Sequence, residues 1–289
     1  MFSGVGTLDP HPDIRYTHVR TLCIEAHLWE FDSRTFAASV PNLLELEWDA
    51  DDGELFLCGV DDVREENLSQ DLHTPLVWQV LDRLHCSAAR AYAMALTCEV
   101  RYWHGAVVAC HDELVLFRDV VEDMRPSRVN VRVAFGKWWE VDILDAMFPP
   151  AELTHLRMTI KLYKNTIRAD HFMRILIESL RNLSRLVLLD IDIDYDRAEI
   201  FRSSSLPIRD TTRDTLSALD LDACARCLLA ISSHLQSFFL RGDGWRVVRT
   251  GDGGASLLEM EKDESSRPLK ELESGCFTEQ NLAAPFGMK

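Results

Sequence analysis

Leu153-Thr154-His155-Leu156-Arg157-Met158 carries apolar side chains at its first, fourth and sixth positions, and the reading of that spacing as strand or helix decides the fold. In an extended chain alternate residues face the same way. Leu156 and Met158 would then point inward together, with Leu153 anchoring the approach. The same L-x-x-L-x-L pattern, with conservative apolar swaps, recurs at Val19-Arg20-Thr21-Leu22-Cys23-Ile24 and Leu43-Leu44-Glu45-Leu46-Glu47-Trp48. It returns at Leu183-Ser184-Arg185-Leu186-Val187-Leu188, Leu216-Ser217-Ala218-Leu219-Asp220-Leu221 and Leu235-Gln236-Ser237-Phe238-Phe239-Leu240. Leu269-Lys270-Glu271-Leu272 is a degenerate further copy. The copy at 216–221 is the most complete, because Cys224 follows where a leucine-rich repeat places its Asn or Cys.

The copies are unevenly spaced, whereas regular leucine-rich repeats run about 20–29 residues. Helical arms of varying length between strands would produce this scatter. One-sided apolar stripes of the kind that pack a helix on a sheet lie between the copies. Asp32 is placed to cap a helix carrying Phe36 and Val40, which Pro41 stops. Leu76, Val77, Val80, Leu81 and Leu84 form a second stripe, and Leu114, Phe117, Val121 and Met124 a third. Asp170 precedes Phe172, Leu176 and Leu180, and Leu228, Ile231 and Leu235 complete the series. Glu99-Val100-Arg101-Tyr102-Trp103 and Arg128-Val129-Asn130-Val131-Arg132-Val133-Ala134-Phe135 alternate as strands. Strand and helix in turn predict an α/β fold: an irregular leucine-rich-repeat solenoid, horseshoe-like, with parallel strands and helical arms. The expected organisation is a short N-terminal segment over 1–10, the solenoid over 11–245 and a loosely ordered tail over 246–289. Residues 202–215 read as a polar loop.

Of the 289 residues, 47% are hydrophobic and 27% charged, close to the average for soluble globular proteins. The balance of 47 Asp+Glu against 31 Lys+Arg gives a formal charge of −16. Such a chain repels a phosphate backbone, so nucleic-acid binding is not expected. No apolar run approaches the ~18 residues of a membrane span, and the N-terminus lacks the basic and apolar regions of a secretory signal. Eight scattered cysteines follow no disulfide framework. The expected location is cytoplasmic or nuclear.

Several stretches resemble a known family. His11-Pro12-Asp13-Ile14-Arg15-Tyr16-Thr17-His18, running into the first leucine pattern, is similar to the segment that follows the F-box in fungal F-box/leucine-rich-repeat-like proteins. Pro41-Asn42-Leu43-Leu44-Glu45-Leu46 and Leu180-Arg181-Asn182-Leu183-Ser184-Arg185-Leu186 look like that family's helix-to-strand joint. The resemblance covers about residues 11–240. It implies a substrate-recognition subunit of a cullin–RING ubiquitin ligase, in which the F-box docks on a Skp-type adaptor and the repeats bind the substrate. An F-box with its Leu-Pro start belongs ahead of the first repeat, but only ten residues precede His11 here. The box is therefore expected upstream of Met1 or to have been lost.

Cys224-Ala225-Arg226-Cys227 reads as a CxxC between a strand and a helix, where a helix N-terminus favours a thiolate. A redox protein or α/β enzyme using Cys224 and Cys227 is thus an alternative, although the upstream βαβ unit and the downstream proline-bearing strand are missing. Asp190, Asp192, Asp194 and Asp196 alternate, and oxygen ligands suit Ca²⁺ or Mg²⁺. Without the glycine and glutamate of a calcium loop they read as a solvated surface just past an inner strand. His104, Cys110 and His111 lack the second ligand pair that zinc needs. Trp138 and Trp139, with Tyr102 and Trp103, form an aromatic group that reads as core.

The leading expectation is a non-enzymatic protein-recognition scaffold with no cofactor. Its contacts would come from the outward strand positions, namely Arg20, Glu45, Glu47, His155, Arg157, Arg185 and Asp220. The last alternative is a truncated paralogue without a function of its own.

Overall fold

The spacing at 153–158 resolves as strand. In a computed structural model of the chain, His155–Tyr163 forms a strand whose residues alternate between buried and half-buried along its whole length. The structure describes residues 14–24, 32–48, 59–71, 78–135, 147–149, 152–163, 167–196, 211–231, 234–242, 245–250 and 256–259. Ten strands among them build one sheet: β1 (Thr21–Ile24), β2 (Glu45–Trp48), β3 (Val80–His85), β4 (Glu99–Val108), β5 (Arg128–Phe135), β6 (His155–Tyr163), β7 (Leu188–Asp196), β8 (Ser237–Gly242), β9 (Trp245–Thr250) and β10 (Ser256–Glu259). Their order in the sheet is their order in the chain. β1 to β8 are all parallel, while β9 and β10 add antiparallel to β8 and to each other. The sheet does not close, so the protein is α/β with an eight-stranded parallel sheet.

Parallel neighbours need a crossover, and helices occupy most of the described ones. They are α1 (Ser33–Ser39), α2 (Val60–Asp71), α3 (Ala88–Ala93), α4 (His111–Met124), α5 (Ala169–Leu180), α6 (Thr211–Ser217) and α7 (Leu221–Leu229). Asp32 caps α1, accepting the Thr35 N–H at 3.2 Å. The stripe Leu114, Phe117, Val121 and Met124 is the buried face of α4. Glu113 of α4 accepts the backbone N–H groups of both Ala109 and Cys110, so the start of the helix is satisfied. Phe172, Leu176 and Leu180 are buried on α5. Its N-cap, however, is Arg168, and Asp170 sits in the first turn.

One face of the sheet carries the core. Leu22, Leu46, Leu84, Trp103, Val129, Leu156, Leu189 and Phe238 stand opposite one another across β1 to β8, and all are buried. Trp103 stacks on Phe117 of α4 at 5.1 Å, and the buried helix residues join the same cluster. Each large aliphatic side chain removed from water contributes about 1.5–3 kcal/mol. Successive helices are tied by polar groups as well. Buried Asn67 of α2 accepts from the Ser33 hydroxyl of α1 at 3.0 Å and donates to the Ala93 carbonyl of α3 at 2.9 Å.

A second device recurs at three strand starts and within β3. The Arg20 carbonyl accepts from the N–H groups of both Leu44 and Glu45, and the Leu44 carbonyl from both Asp82 and Arg83. Ser127 does the same for Thr154 and His155, and Thr154 for Val187 and Leu188. Four joints thus share one geometry although the segments between them differ in length.

The structure departs from the sequence reading in several places. Val80, Leu81 and Leu84 lie in strand β3, not in a helix. Leu81 and Leu84 both reach the core three residues apart because the shared carbonyl of Leu44 shifts the phase between them. Residues 216–221 are not a strand. Leu216 and Ser217 end α6, and Leu221 begins α7. The run 216–229 contains no β-branched residue, its Leu, Ala and Arg favour helix, and Asp220 supplies the cap of α7. The polar segment 202–215 ends inside α6, its first nine residues lying outside the described ones. The aspartates from 190 to 196 belong to β7 itself rather than to a surface beyond it. β9 and β10 fall largely within the segment read as a loosely ordered tail, with Gly242 at the start of the connection into β9. The degenerate copy at 269–272, Leu76, Val77, Trp138 and Trp139 lie outside the described residues.

Candidate recognition face

Because strand side chains alternate, the residues between the core rows form the other face of the sheet. One row reads Thr21, Glu45, Arg83, Tyr102, Arg128, His155 and Leu188 from β1 to β7. The next reads Cys23, Glu47, His85, His104, Asn130, Arg157 and Asp190. Most of these side chains are polar and half-buried or exposed. Thr21, Glu45, Glu47, Arg83, His85, Tyr102 and His104 line a groove of about 330 Å³ over β1 to β4.

The groove is organised by hydrogen bonds and ring contacts. Thr21 Oγ1 donates to Glu45 Oε2 at 3.3 Å. Glu47 Oε1 lies 3.1 Å from His85 Nδ1, and the His85 and His104 rings lie 4.5 Å apart, tilted by 54°. Gly105 makes this pairing possible. It sits at φ +90°, and a Cβ there would lie 2.4 Å from His85 Cδ2. The ladder from β4 to β5 shifts register at the same point, between His104 and Ala106.

Burial and the cationic neighbours set the charge states. Burial, then the nearby His85, Arg83 and Arg157, lowers His104 to about 4. Burial, then Arg128, lowers His155 to about 4. Both rings are therefore neutral near pH 7. Burial holds the Arg128 guanidinium below its ordinary value and raises the Tyr102 phenol, which a hydrogen bond with Asn130 partly opposes. Arg157 Nε faces Asp190 Oδ2 at 3.5 Å across the β6–β7 pair.

Of the residues expected to make contacts, Glu45, Glu47, His155 and Arg157 share this face. Arg20 stands just ahead of β1 and donates to the Asn42 carbonyl at 2.7 Å. Arg185 and Asp220 do not join them. Arg185 precedes β7 and pairs with Glu152 at 2.8 Å, because the strand begins only at Leu188. Asp220 is the N-cap of α7, accepting the Ala223 N–H at 2.9 Å. Arg83, His85, Tyr102, His104 and Arg128 were missed as face residues. Alternation over 128–135 carried the signal for Arg128, the helical reading of β3 hid Arg83 and His85, and β4 hid Tyr102 and His104 because its core residues Val100 and Trp103 stand three apart.

The chemistry of the other candidates follows from their places. Cys224 and Cys227 both lie inside α7, not between a strand and a helix. Cys224 is buried, and burial, then Cys227 and Asp220, raises its thiol to about 11, against thiolate formation. Cys110 caps α4 and His111 opens it beside Asp112, while His104 faces the groove, so these three do not converge. No cluster of three or more His, Cys, Asp or Glu side chains suited to a metal occurs among the described residues. Cys23 shares a row with His85 but stands two strands away, about 10 Å at the usual spacing, too far for a nucleophile–base pair. No helix among the described residues is long and apolar enough to cross a membrane. No protein-family model matches the chain, and no curated protein or solved structure matches it either.

Proposed function

We propose that the chain is a non-enzymatic protein-recognition scaffold, an irregular leucine-rich-repeat solenoid that meets its partner with the polar face of its parallel sheet. The observation that carries the reading is the contrast between the two faces: an unbroken apolar row from Leu22 to Phe238 on one side and half-buried polar rows on the other. The recurring two-amide joint at Arg20, Leu44, Ser127 and Thr154 supports repetition of one structural unit. Stacked units of this kind offer extended surfaces for proteins. A photo-crosslinking amino acid at Arg132 or Thr159, on the polar face, is expected to capture a partner in cells. The same group at Arg174 or Glu178, exposed on α5, serves as the comparison. Adducts from α5 alone would overturn the reading.

In its ligase form the scaffold serves a Skp-type adaptor and cullin, with the captured partner as substrate. Affinity purification of the tagged endogenous protein is expected to bring down both subunits. Recovery of neither would end the ligase version and leave the scaffold intact.

A further inference from the structure

The polar face is banded by charge. Glu45 and Glu47 stand on β2; Arg83 on β3, Arg128 and Arg132 on β5, and Arg157 and Lys161 on β6 follow; Asp190, Asp192 and Asp194 stand on β7. Apart from Asp82 of β3, which pairs with Arg101 of β4 at 2.6 Å, and Glu99, which opens β4, this face of β3 to β6 carries no Asp or Glu among the described residues. In a chain of formal charge −16, five cations gathered between two acidic borders are a local reversal. The borders touch the centre: Glu45 is opposite Arg83, and Asp190, Asp192 and Asp194 are opposite Arg157, Thr159 and Lys161.

We infer that this face binds an extended segment of a partner protein, laid across the strands, with carboxylates at its centre and Lys or Arg at both ends. The inference rests on the protein-recognition reading and names the chemistry of the segment. β2 to β7 spans five strand spacings, about 24 Å, which an extended segment of about seven residues covers. Arg83 and Arg128 stand two strands apart in one row, about 10 Å. Such spread cations suit successive carboxylates, whereas one compact anion would reach few of them. The acidic borders repel a polyanion such as a nucleic acid and attract the basic ends of the segment.

Two fluorescein-labelled peptides of identical composition test the order of charge apart from net charge. One reads Lys-Lys-Ala-Glu-Glu-Glu-Ala-Lys-Lys, and the other has the same residues with the lysines central and the glutamates at the ends. Fluorescence anisotropy on the full chain is expected to show the acid-centred peptide binding about tenfold more tightly, an advantage that added salt reduces. Arg132→Glu, at an exposed position, is expected to abolish that preference. Arg181→Gln, on the helix side, is expected to leave it unchanged. Equal affinities, the reverse order, no binding by either peptide, or a preference untouched by Arg132→Glu would each overturn the inference. If crosslinkers on this face still capture a partner whose contacting segment has another charge order, the inference fails and the scaffold reading stands. If they capture nothing there, both fail.

Discussion

Alternate residues of one strand live in different worlds. On β6, Leu156, Met158, Ile160 and Leu162 are fully buried, while His155, Arg157, Thr159 and Lys161 between them are half-buried and polar. The first set holds the sheet to its helices. The second set is arranged by register and carries the charge pattern. One face therefore explains why the chain folds, and the other what it has to offer a partner.

Breaking the covered face should cost most. Leu156→Ala is expected to destabilise the protein by about 2–5 kcal/mol, the usual range for a buried leucine, read as a lower urea midpoint. Thr159→Ala, three residues on and on the polar face, should stay within about 0.5 kcal/mol. Equal costs would dissolve the distinction between the faces. The helix layer depends on a polar link that the contrast would otherwise hide. Asn67→Ala removes the buried bonds to Ser33 and Ala93 and should cost about 2 kcal/mol, since the abandoned partners remain buried. A loss near zero would show that α1 and α3 do not need the clamp.

The two faces also differ in how far the sequence discloses them. Strands were legible where apolar alternation is joined to β-branched residues, as in Val129, Val131 and Val133 of β5. Leucine spacing alone marked β1, β2 and β6, but it misleads elsewhere. At 216–221 it fits the repeat pattern most fully, yet the helix formers around it and the Asp220 cap make it the junction of α6 and α7. β3 was hidden for the opposite reason, since the shared Leu44 carbonyl breaks its alternation. The groove was less legible still. Glu47, His85 and His104 come from three strands whose alignment depends on pairings distant in sequence. The isolated Gly105 within an alternating stretch was the available local sign of a bulge or a close approach.

Gly105→Ala sharpens the contrast by disturbing the polar face from within the backbone. It introduces a Cβ at a positive φ and against the His85 ring. The expected cost is about 1–3 kcal/mol, together with displaced His85 and His104 resonances in NMR spectra. Core methyl resonances of Leu156 and Ile160 should move little. Unchanged imidazole resonances would refute the role of Gly105 as the gap that admits His85.

The last expected effect is a pH dependence confined to the polar face. His104 and His155 are each lowered to about 4 in the folded chain, against an ordinary value of about 6.5 in the unfolded one. Above pH 6.5 both states keep these rings neutral, so stability is undiminished by them. As pH falls from about 6.5 to about 4, the unfolded chain takes up protons that the folded chain refuses, and stability declines. Below about 4 the two rings are protonated in both states and contribute no further decline. Thermal unfolding midpoints across this window should therefore fall more steeply for the natural chain than for His104→Asn with His155→Asn. Carboxylate protonation lowers both curves alike, so the difference between them isolates the histidines. Parallel curves would mean that the polar face shields neither ring from water, and that its separation from solvent is shallower than its hydrogen bonds and ring contacts indicate.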